Sequence, residues 1–282
     1  MMAGVSTDTG YVATIGIECH VQLKTKTKLF SAVDNDARDA EPNTKISAID
    51  LGLPGVLPVL NEKAVEYAVR VGLALNAEIG LNSKFDRKHY FYPDLPKGYQ
   101  ITQYDEPIVR QGYVDAVLPD GTTVRVGVER AHLEEDAGKS THPAGADYSL
   151  VDLNRAGTPL MEIVSKPDIH SAAEAKAYAQ ELYMLMRYAD VSDCDLYYGN
   201  MRFDVNVSVS KDPAILGTRT ETKNLNSFRS VEKAVEFEIH RQIEQLEKGE
   251  RVVQETRGWD DGKQRTFSQR SKEEAHDYRY FQ

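Results

Sequence analysis

An alternating segment near the start of the chain places a carboxylate and an imidazole on one side of a predicted strand. Glu18 and His20 are two residues apart, within a segment that alternates polar and apolar residues. In an extended strand such residues point the same way, about 6.6–7 Å apart along the sheet. The pair suits either a divalent ion or a proton-transfer site, and a solvated strand face is the alternative for so short a motif.

A second candidate is the acidic run His132-Leu-Glu-Glu-Asp136, which directly follows a predicted strand. The carboxylates of Glu134, Glu135 and Asp136 repel one another unless water or a hard cation screens them. Oxygen ligands with few histidines favour magnesium over zinc. Taken alone, the run is equally typical of an acidic surface loop.

A third candidate is the polar face of the segment 200–210, which alternates with a fully apolar face. It carries Arg202, Asp204, Asn206 and Ser208, a mixture typical of the floor of a cleft. Arg202 could bind phosphate through two N–H groups, and Asp204 could bind magnesium. A salt-bridged sheet surface is the alternative.

The sequence contains no Walker A motif, kinase-type glycine-rich loop or nucleophile elbow. A nucleotide site in this chain would therefore have to be built from side chains and magnesium on a sheet. Basic residues near glycines or turns, among them Lys139 and Arg155, are candidates for it, although each one singly is more typical of a surface charge.

Composition indicates a globular protein, because 41% of the 282 residues are hydrophobic and 28% are charged. The net charge of −10 argues against non-specific binding of nucleic acid by the chain as a whole.

Cys19 and Cys194 are too few for a disulfide scaffold and are expected to be free thiols. We find no signal peptide and no apolar run long enough to cross a membrane, so a cytoplasmic location is expected.

Hydrophobic periodicity predicts the elements that must position these residues. Helices are predicted over 64–78, 171–189 and 230–248, the second beginning at a Ser171–Glu174 capping box and the third ending at Gly249. Predicted strands cover 14–24, 113–118, 122–130, 150–153, 160–164, 200–210 and 218–223. A hairpin is expected at Pro119-Asp-Gly121, and 84–107 is predicted to be a long ordered loop.

The pattern predicts an α+β fold with a largely antiparallel sheet and flanking helices. No internal domain boundary is evident, so residues 1–282 are interpreted as one domain.

The chain also contains longer strings of distinctive sequence. They are Ile15-Gly-Ile-Glu-Cys-His-Val-Gln-Leu23, Leu53-Pro-Gly-Val-Leu-Pro-Val-Leu-Asn61, Ser83-Lys-Phe-Asp-Arg-Lys-His-Tyr-Phe-Tyr-Pro-Asp-Leu-Pro-Lys-Gly-Tyr-Gln-Ile101, His132-Leu-Glu-Glu-Asp-Ala-Gly-Lys-Ser140, Val151-Asp-Leu-Asn-Arg155, Lys223-Asn-Leu-Asn-Ser-Phe228, Gln254-Glu-Thr-Arg257 and Arg270-Ser-Lys-Glu-Glu-Ala-His-Asp-Tyr-Arg-Tyr-Phe281. These strings resemble a known family, the B subunit of the tRNA-dependent amidotransferases (GatB), and they run in the order of that family across nearly the whole chain.

The resemblance implies a glutamine-synthetase-like catalytic core that uses ATP and magnesium. It implies that ATP phosphorylates the side-chain carboxylate of Glu-tRNA(Gln), Asp-tRNA(Asn) or both, and that ammonia then displaces phosphate to give the amide. The implied partners are an amidase subunit, which releases ammonia from glutamine and supplies it through a tunnel, and a small third subunit of a heterotrimer.

The resemblance also implies roles for individual residues. The implied metal ligands are Glu18, His20, Glu134, Glu135 and, on the facing strand, Asp204. Phosphate contacts are expected from Arg202, Lys139 and Arg155. Lys88 and Tyr90 are similar to residues at the mouth of the ammonia tunnel, which Glu135 would also border. Lysine and glutamate there could relay protons and keep ammonia neutral.

The chain departs from the family pattern at three places. Residues 31–50 contain no cysteine, so the zinc site of many members is not expected. Leu196-Tyr-Tyr-Gly-Asn-Met-Arg202 has tyrosines where two carboxylates usually stand. The sequence ends at Gln282, so the helical and tail domains that bind tRNA in the family are expected to be absent from it.

Two alternatives to an amidotransferase role remain open at this point. One is a non-catalytic docking subunit for the amidase. The other is a magnesium-dependent ligase that acts on a free carboxylic acid. The carboxylates favour catalysis over docking, and the tyrosine- and proline-rich segment 84–107, typical of a subunit contact, disfavours the second alternative.

Overall fold

The computed structural model describes residues 10–271 and 278–281. Within these residues the helices are α1 (Glu62–Ala74), α2 (Ala172–Tyr188) and α3 (Phe228–Glu247). The strands are β1 (Val12–Gln22), β2 (Asp86–His89), β3 (Tyr99–Thr102), β4 (Gly112–Val117), β5 (Thr123–Glu135), β6 (Lys139–Thr141), β7 (Leu150–Asp152), β8 (Pro159–Ser165), β9 (Met201–Ser210), β10 (Thr220–Leu225), β11 (Glu255–Asp260) and β12 (Arg265–Ser271).

Across the described chain, eight strands form one large sheet in the order β12-β11-β10-β9-β1-β8-β5-β4. Neighbouring strands are antiparallel, except that β10 and β11 run parallel. Two further pairs, β2–β3 and β6–β7, lie outside this sheet. The α+β class with a largely antiparallel sheet is therefore confirmed.

The apolar face of the sheet forms the core. Along β1 every second residue is buried, including Ile15, Ile17 and Val21. These side chains belong to the same buried cluster as Leu182 of α2 and Val235 of α3. Because side chains alternate along a strand, burying this face leaves the polar residues of β1 on the other face.

The structure confirms the predicted helices to within a few residues at each end. Ser171 caps α2, since its hydroxyl accepts a hydrogen bond from the Glu174 backbone N–H at 3.2 Å. α3 stops just before Gly249, whose φ of +76° is readily adopted only by glycine. The β4–β5 hairpin turns at 119–121 as predicted, with the Leu118 N–H bonded to the Thr122 carbonyl at 2.8 Å.

The prediction of a long ordered loop without strands over 84–107 is wrong for two short segments, which pair as the β2–β3 hairpin. Four-residue strands are too short to show a reliable alternation. Tertiary contacts support the hairpin, since the backbone N–H of His89 donates to the carbonyl of Tyr278 at 2.8 Å. Tyr104, just after the hairpin, stacks on Tyr280 with ring centroids 4.2 Å apart.

No helix in the described part of the chain combines the length and apolar character needed to cross a membrane.

Candidate functional site

The polar face of the sheet brings together a first group of possible metal ligands: His20 of β1, Glu134 of β5 and Glu162 of β8. One ligand atom from each lies within 4.8 Å of the others. Strand register explains the grouping, because β8 lies between β1 and β5 and Glu162 is directly opposite His20 on one side and His132 on the other. One imidazole and two carboxylates form a donor set that a divalent cation can use.

His132 lies beside this first group and would supply compensating charge when protonated. Its Nε2 is 3.4 Å from Oε2 of Glu162 and 3.6 Å from Oε2 of Glu134. Burial lowers the pKa of His132, but the carboxylates of Glu162 and Glu134 outweigh it and raise that pKa to about 9. Burial likewise opposes ionisation of Glu162, yet the histidines and Lys88 hold the pKa of Glu162 well below its usual range.

A second group of possible metal ligands lies next to the first on the same polar face, toward β9 and β10. Glu18 of β1, Asp204 of β9 and Glu221 of β10 each place a carboxylate oxygen within 4.8 Å of the others. Burial and the neighbouring carboxylates of Glu162 and Glu221 raise the pKa of Glu18. Three carboxylates this close on a mostly buried face require positive charge nearby.

Lys223 of β10 supplies part of that charge to the second group. Its Nζ is 3.1 Å from Asp204 Oδ2 and 3.1 Å from Glu221 Oε1. Asp204 also accepts a hydrogen bond of 2.8 Å from the backbone N–H of Asn224, and Glu18 accepts one of 3.1 Å from Asn206 Nδ2. The second group is therefore held in place by donors from β9 and β10.

A third cluster, centred on Asp136 just after β5, engages two of the arginines predicted to bind phosphate. Arg202 places its two terminal nitrogens 3.0 and 3.3 Å from the Asp136 carboxylate, and Arg155 Nε is 3.6 Å away. Gln22 donates to the same carboxylate at 2.8 Å. Burial would raise the pKa of Asp136, but the two guanidinium groups hold it far below its usual range. Both arginines thus have a structural partner on the sheet face.

Lys139, the third predicted phosphate ligand, lies on β6 beside a cavity of about 420 Å³. Arg155 and Asn200 also line this cavity, as do Lys24 and Arg38. The cavity borders the Asp136 cluster, because Gln22 and Arg155, which both contact Asp136, line it as well.

Lys88 and Tyr90, predicted at the mouth of an ammonia tunnel, lie on the side of the first group. The Lys88 ammonium is 4.7 Å from the centroid of the Tyr278 ring and 5.9 Å from that of Tyr90. Burial lowers the pKa of Lys88, but Glu134 and Glu162 outweigh it and raise that pKa. The β2–β3 hairpin therefore directs a lysine charge toward the first group.

The structure does not bring Glu135 into either carboxylate group, although the family resemblance implied that it is a metal ligand. Adjacent residues of an extended strand point in opposite directions, so Glu134 and Glu135 cannot share a face. Glu135 instead pairs with Lys97, and its Oε2 accepts a hydrogen bond of 3.1 Å from the backbone N–H of Ile101. This buried ion pair connects Lys97, between β2 and β3, to Glu135 at the end of β5, and so holds the hairpin against β5.

We expect Glu135→Ala to lower the free energy of unfolding by about 3–5 kcal/mol, because it leaves the Lys97 ammonium buried without its partner. Urea denaturation of the variant and the unmodified chain measures this difference. The double variant Glu135→Gln, Lys97→Met removes both charges and should recover most of the loss. A single variant as stable as the unmodified chain would contradict a structural role for the pair.

Sequence reasoning missed Glu162 and Glu221, one in each carboxylate group. Both were inside predicted strands, and Glu162 stands between the apolar residues Met161 and Ile163. An acidic residue inside a short apolar strand was an available signal, because burying a charge is costly unless it is paired or binds a cation. Neither residue forms a local motif, so only strand pairing reveals its partners.

The fold and these clusters define an α+β protein whose main sheet carries two adjacent candidate cation sites on its polar face. Residues 13–282 match the family described as the GatB/GatE catalytic domain, and the chain belongs to that family. The family inferred from the sequence strings is thereby confirmed.

Curated relatives named as the B subunit of aspartyl/glutamyl-tRNA(Asn/Gln) amidotransferase are similar to this chain. The protein of Coxiella burnetii (strain RSA 493 / Nine Mile phase I) is 59% identical over 268 residues, which cover 95% of this chain and 56% of that protein. The protein of Trichormus variabilis is 54% identical over 291 residues, covering 100% of this chain and 59% of that protein. The chain thus spans little more than half the length of these relatives.

Proposed function

We propose that the chain is the catalytic part of the B subunit of a tRNA-dependent amidotransferase, with a glutamine-synthetase-like core. The observation that carries the proposal is the pair of carboxylate groups side by side on one sheet face, in a chain that belongs to the GatB/GatE family. In the proposed reaction ATP activates the side-chain carboxylate of Glu-tRNA(Gln), Asp-tRNA(Asn) or both, and ammonia completes the amide.

The proposed reaction has two balanced steps. A carboxylate oxygen of the aminoacyl side chain attacks the γ-phosphorus of ATP, the bond to the β-phosphate oxygen breaks, and ADP leaves. The nitrogen of ammonia then attacks the acyl carbon, phosphate leaves with the original carboxylate oxygen, and one proton is released. Turning that oxygen into a phosphate lowers the barrier, because a free carboxylate is a poor electrophile.

The donor sets fit magnesium, which prefers oxygen ligands. We propose that His20, Glu134 and Glu162 hold one ion and that Glu18, Asp204 and Glu221 hold the other. Such ions would neutralise charge on the transferring phosphoryl group. Glu135 is left out of the proposed ligands because of its pairing with Lys97.

The residues of the chain have proposed tasks of their own. Lys88, held among tyrosine rings near the first group, would bind the negative charge of the acyl phosphate and border the entry of ammonia with Tyr90. Arg202 and Arg155 would keep the Asp136 end of the face positively charged. Lys139 and Arg155 would contact phosphate from the adjoining cavity.

Exposed apolar residues support the proposed partners, an amidase subunit and a small third subunit. Leu57 is 79% exposed and Phe91 is 84% exposed, in the segments before α1 and after β2. These segments are adjacent, since a Cβ on Gly52 would lie 2.7 Å from Lys97 Cγ. Large exposed apolar side chains on neighbouring segments are typical of a subunit interface.

An oxygen-18 experiment tests the proposed reaction. Glu-tRNA(Gln) labelled in the side-chain carboxylate would be incubated with ATP, glutamine and the complex of this chain with the amidase and third subunits. We expect one labelled oxygen in each phosphate released with Gln-tRNA(Gln). Amide formed without label in phosphate would contradict the acyl phosphate.

The docking alternative predicts a different result in the same experiment. A non-catalytic chain would support the glutaminase activity of the amidase partner and give neither ATP hydrolysis nor amide. The two carboxylate groups favour catalysis, because a scaffold has no need of clustered, mostly buried acids.

A further inference from the structure

A short segment late in the chain, residues 278–281 (the strap), lies along the edge of β2 that does not face β3. The backbone N–H of His89 donates to the carbonyl of Tyr278 at 2.8 Å, and the N–H of Phe281 donates to the carbonyl of Arg87 at 3.2 Å. A two-stranded hairpin is only marginally stable by itself, so the strap adds the third backbone segment that the hairpin needs.

The strap also reaches Lys88, which lies between the two β2 residues that bond to its backbone. The Lys88 ammonium is 4.7 Å from the centroid of the Tyr278 ring and 5.9 Å from that of the Tyr90 ring. These two rings meet edge to face, with their centroids 6.1 Å apart. Cation–π attraction acts within about 6 Å of a ring centroid. A residue distant in the sequence therefore supplies the nearer of the two rings that hold the lysine.

A ring holds an ammonium differently from a carboxylate. Lys97 of the same hairpin pairs with Glu135, so each of those two charges offsets the other. A ring attracts the ammonium through its quadrupole and carries no net charge, so it orients Lys88 without neutralising it. The nearby carboxylates of Glu134 and Glu162 are those proposed to hold an ion, whose charge would offset theirs. The charge of Lys88 is then available for an incoming anion.

Tyr280 anchors the strap beside the hairpin. Its ring stacks on that of Tyr104, just after β3, with the centroids 4.2 Å apart and the planes 12° from parallel. The Phe281 ring meets the His89 ring edge to face at 5.4 Å, and His89 Nδ1 lies 2.9 Å from the carbonyl oxygen of Arg279. Every residue of the strap thus contacts the hairpin or the residues that follow it.

We propose that Tyr278 and Tyr280 are positioning residues for Lys88 in the proposed reaction. Tyr280 fixes the strap, and Tyr278 holds the ammonium where the acyl phosphate forms. The inference rests on the proposed function, because the task of Lys88 belongs to it. The acyl phosphate exists only after the substrate has bound, so a displaced lysine should slow turnover and leave the binding of aminoacyl-tRNA unchanged.

A matched pair of variants at Tyr278 tests the role of the ring in the complex of this chain with its proposed partner subunits. Tyr278→Leu removes the ring, and we expect kcat for Gln-tRNA(Gln) formation to fall about tenfold with KM for Glu-tRNA(Gln) unchanged. Tyr278→Phe keeps the ring and should stay within about twofold of the unmodified kcat. Tyr188→Leu, at an exposed tyrosine that ends α2, is the control. All three variants should melt at the same temperature as the unmodified complex.

A double-mutant cycle with Lys88→Met separates positioning from general support of the fold. If Tyr278 acts through Lys88, Tyr278→Leu should cause no further loss of kcat once the lysine is absent. A further loss of about tenfold in the double variant would show that the two residues act independently, and it would overturn the proposal. A loss in Tyr278→Phe as large as that in Tyr278→Leu would also overturn it, because the ring would then not be what holds the lysine.

Hydrogen exchange tests the anchor in the same complex without ATP or tRNA. Tyr280→Leu removes the stack on Tyr104, so the strap should detach more often and the His89 amide should exchange several-fold faster. Tyr280→Phe keeps a stacking ring and should protect that amide normally. Mass spectrometry of peptides that cover β2 measures the exchange. An unchanged rate in Tyr280→Leu would overturn the role given to Tyr280.

The outcomes separate this inference from the proposed function. An unmodified complex that forms no amide would overturn the proposed function and the catalytic role of the strap together. Amidation at the unmodified rate by Lys88→Met would overturn the task proposed for Lys88, and this inference with it. Slow amidation by Lys88→Met, together with normal amidation by Tyr278→Leu, would overturn the inference alone.

Discussion

Replacement of Glu162 by glutamine is expected to reduce ATP-dependent amide formation by at least about a thousandfold. Glu162 lies between His20 and His132 and shares a possible ligand set with Glu134. Losing one charged ligand of a metal site is worth several kcal/mol, and each 1.36 kcal/mol changes a rate tenfold. The glutamine keeps the shape of the side chain, so the loss would come from its charge.

Initial rates of Gln-tRNA(Gln) formation by the reconstituted complex measure this effect. Glutaminase activity of the proposed amidase partner should remain, because the proposed amidase reaction takes place on that partner and not on this chain. Glu129→Gln is the matched control, since Glu129 is an exposed glutamate on β5 that belongs to neither carboxylate group. Amidation at the unmodified rate by the Glu162 variant would remove the first group from the proposed mechanism.

Asp136→Asn is expected to lower the free energy of unfolding by about 3 kcal/mol, because it leaves buried positive charge without its partner. Most of the loss should come from Arg202, which is mostly buried and makes two contacts to the Asp136 carboxylate. Arg155 is more exposed, so water screens its interaction with the Asp136 carboxylate. Urea denaturation near neutral pH measures the difference, with exposed Asp147→Asn as the control.

The same variant should change how stability depends on pH. The pKa of Asp136 is lowered in the folded chain, so its contribution to stability is complete above the ordinary carboxyl pKa of about 3.9. That contribution is lost as the pH falls from this ordinary carboxyl value toward the lowered pKa that Asp136 has in the folded chain. The stability gap between the unmodified chain and Asp136→Asn should therefore narrow below about pH 4. If the difference in stability between the two chains stayed constant below about pH 4, the ion pair would not be its cause.

Local periodicity was enough to predict much of the fold. The alternation of β1 and β9 identified which side chains share a face, and it placed Glu18 with His20 and Asp204 with Asn206 correctly. The apolar spacing of the helices likewise predicted three helices that the described chain contains. These features depend on residues a few positions apart, so sequence reasoning can reach them.

The short hairpin β2–β3 was not predictable in the same way. Its strands have four residues each and depend on pairing with one another and with 278–281. The hairpin also determines where Lys88 and Lys97 lie. The role predicted for Lys88 therefore came from resemblance alone, and the pairing of Lys97 with Glu135 was not predicted. Tertiary contacts thus created an element that its own sequence signals only weakly.

The sequence by itself determined the types of side chain on the polar face, and the family strings determined the kind of protein. The tertiary structure decided which of those side chains meet. It placed β1 between β8 and β9, joined Glu162 to His20 and Glu221 to Glu18, and turned Glu135 toward Lys97. Facing direction along one strand follows from local geometry, whereas the choice of neighbouring strands depends on residues more than a hundred positions apart.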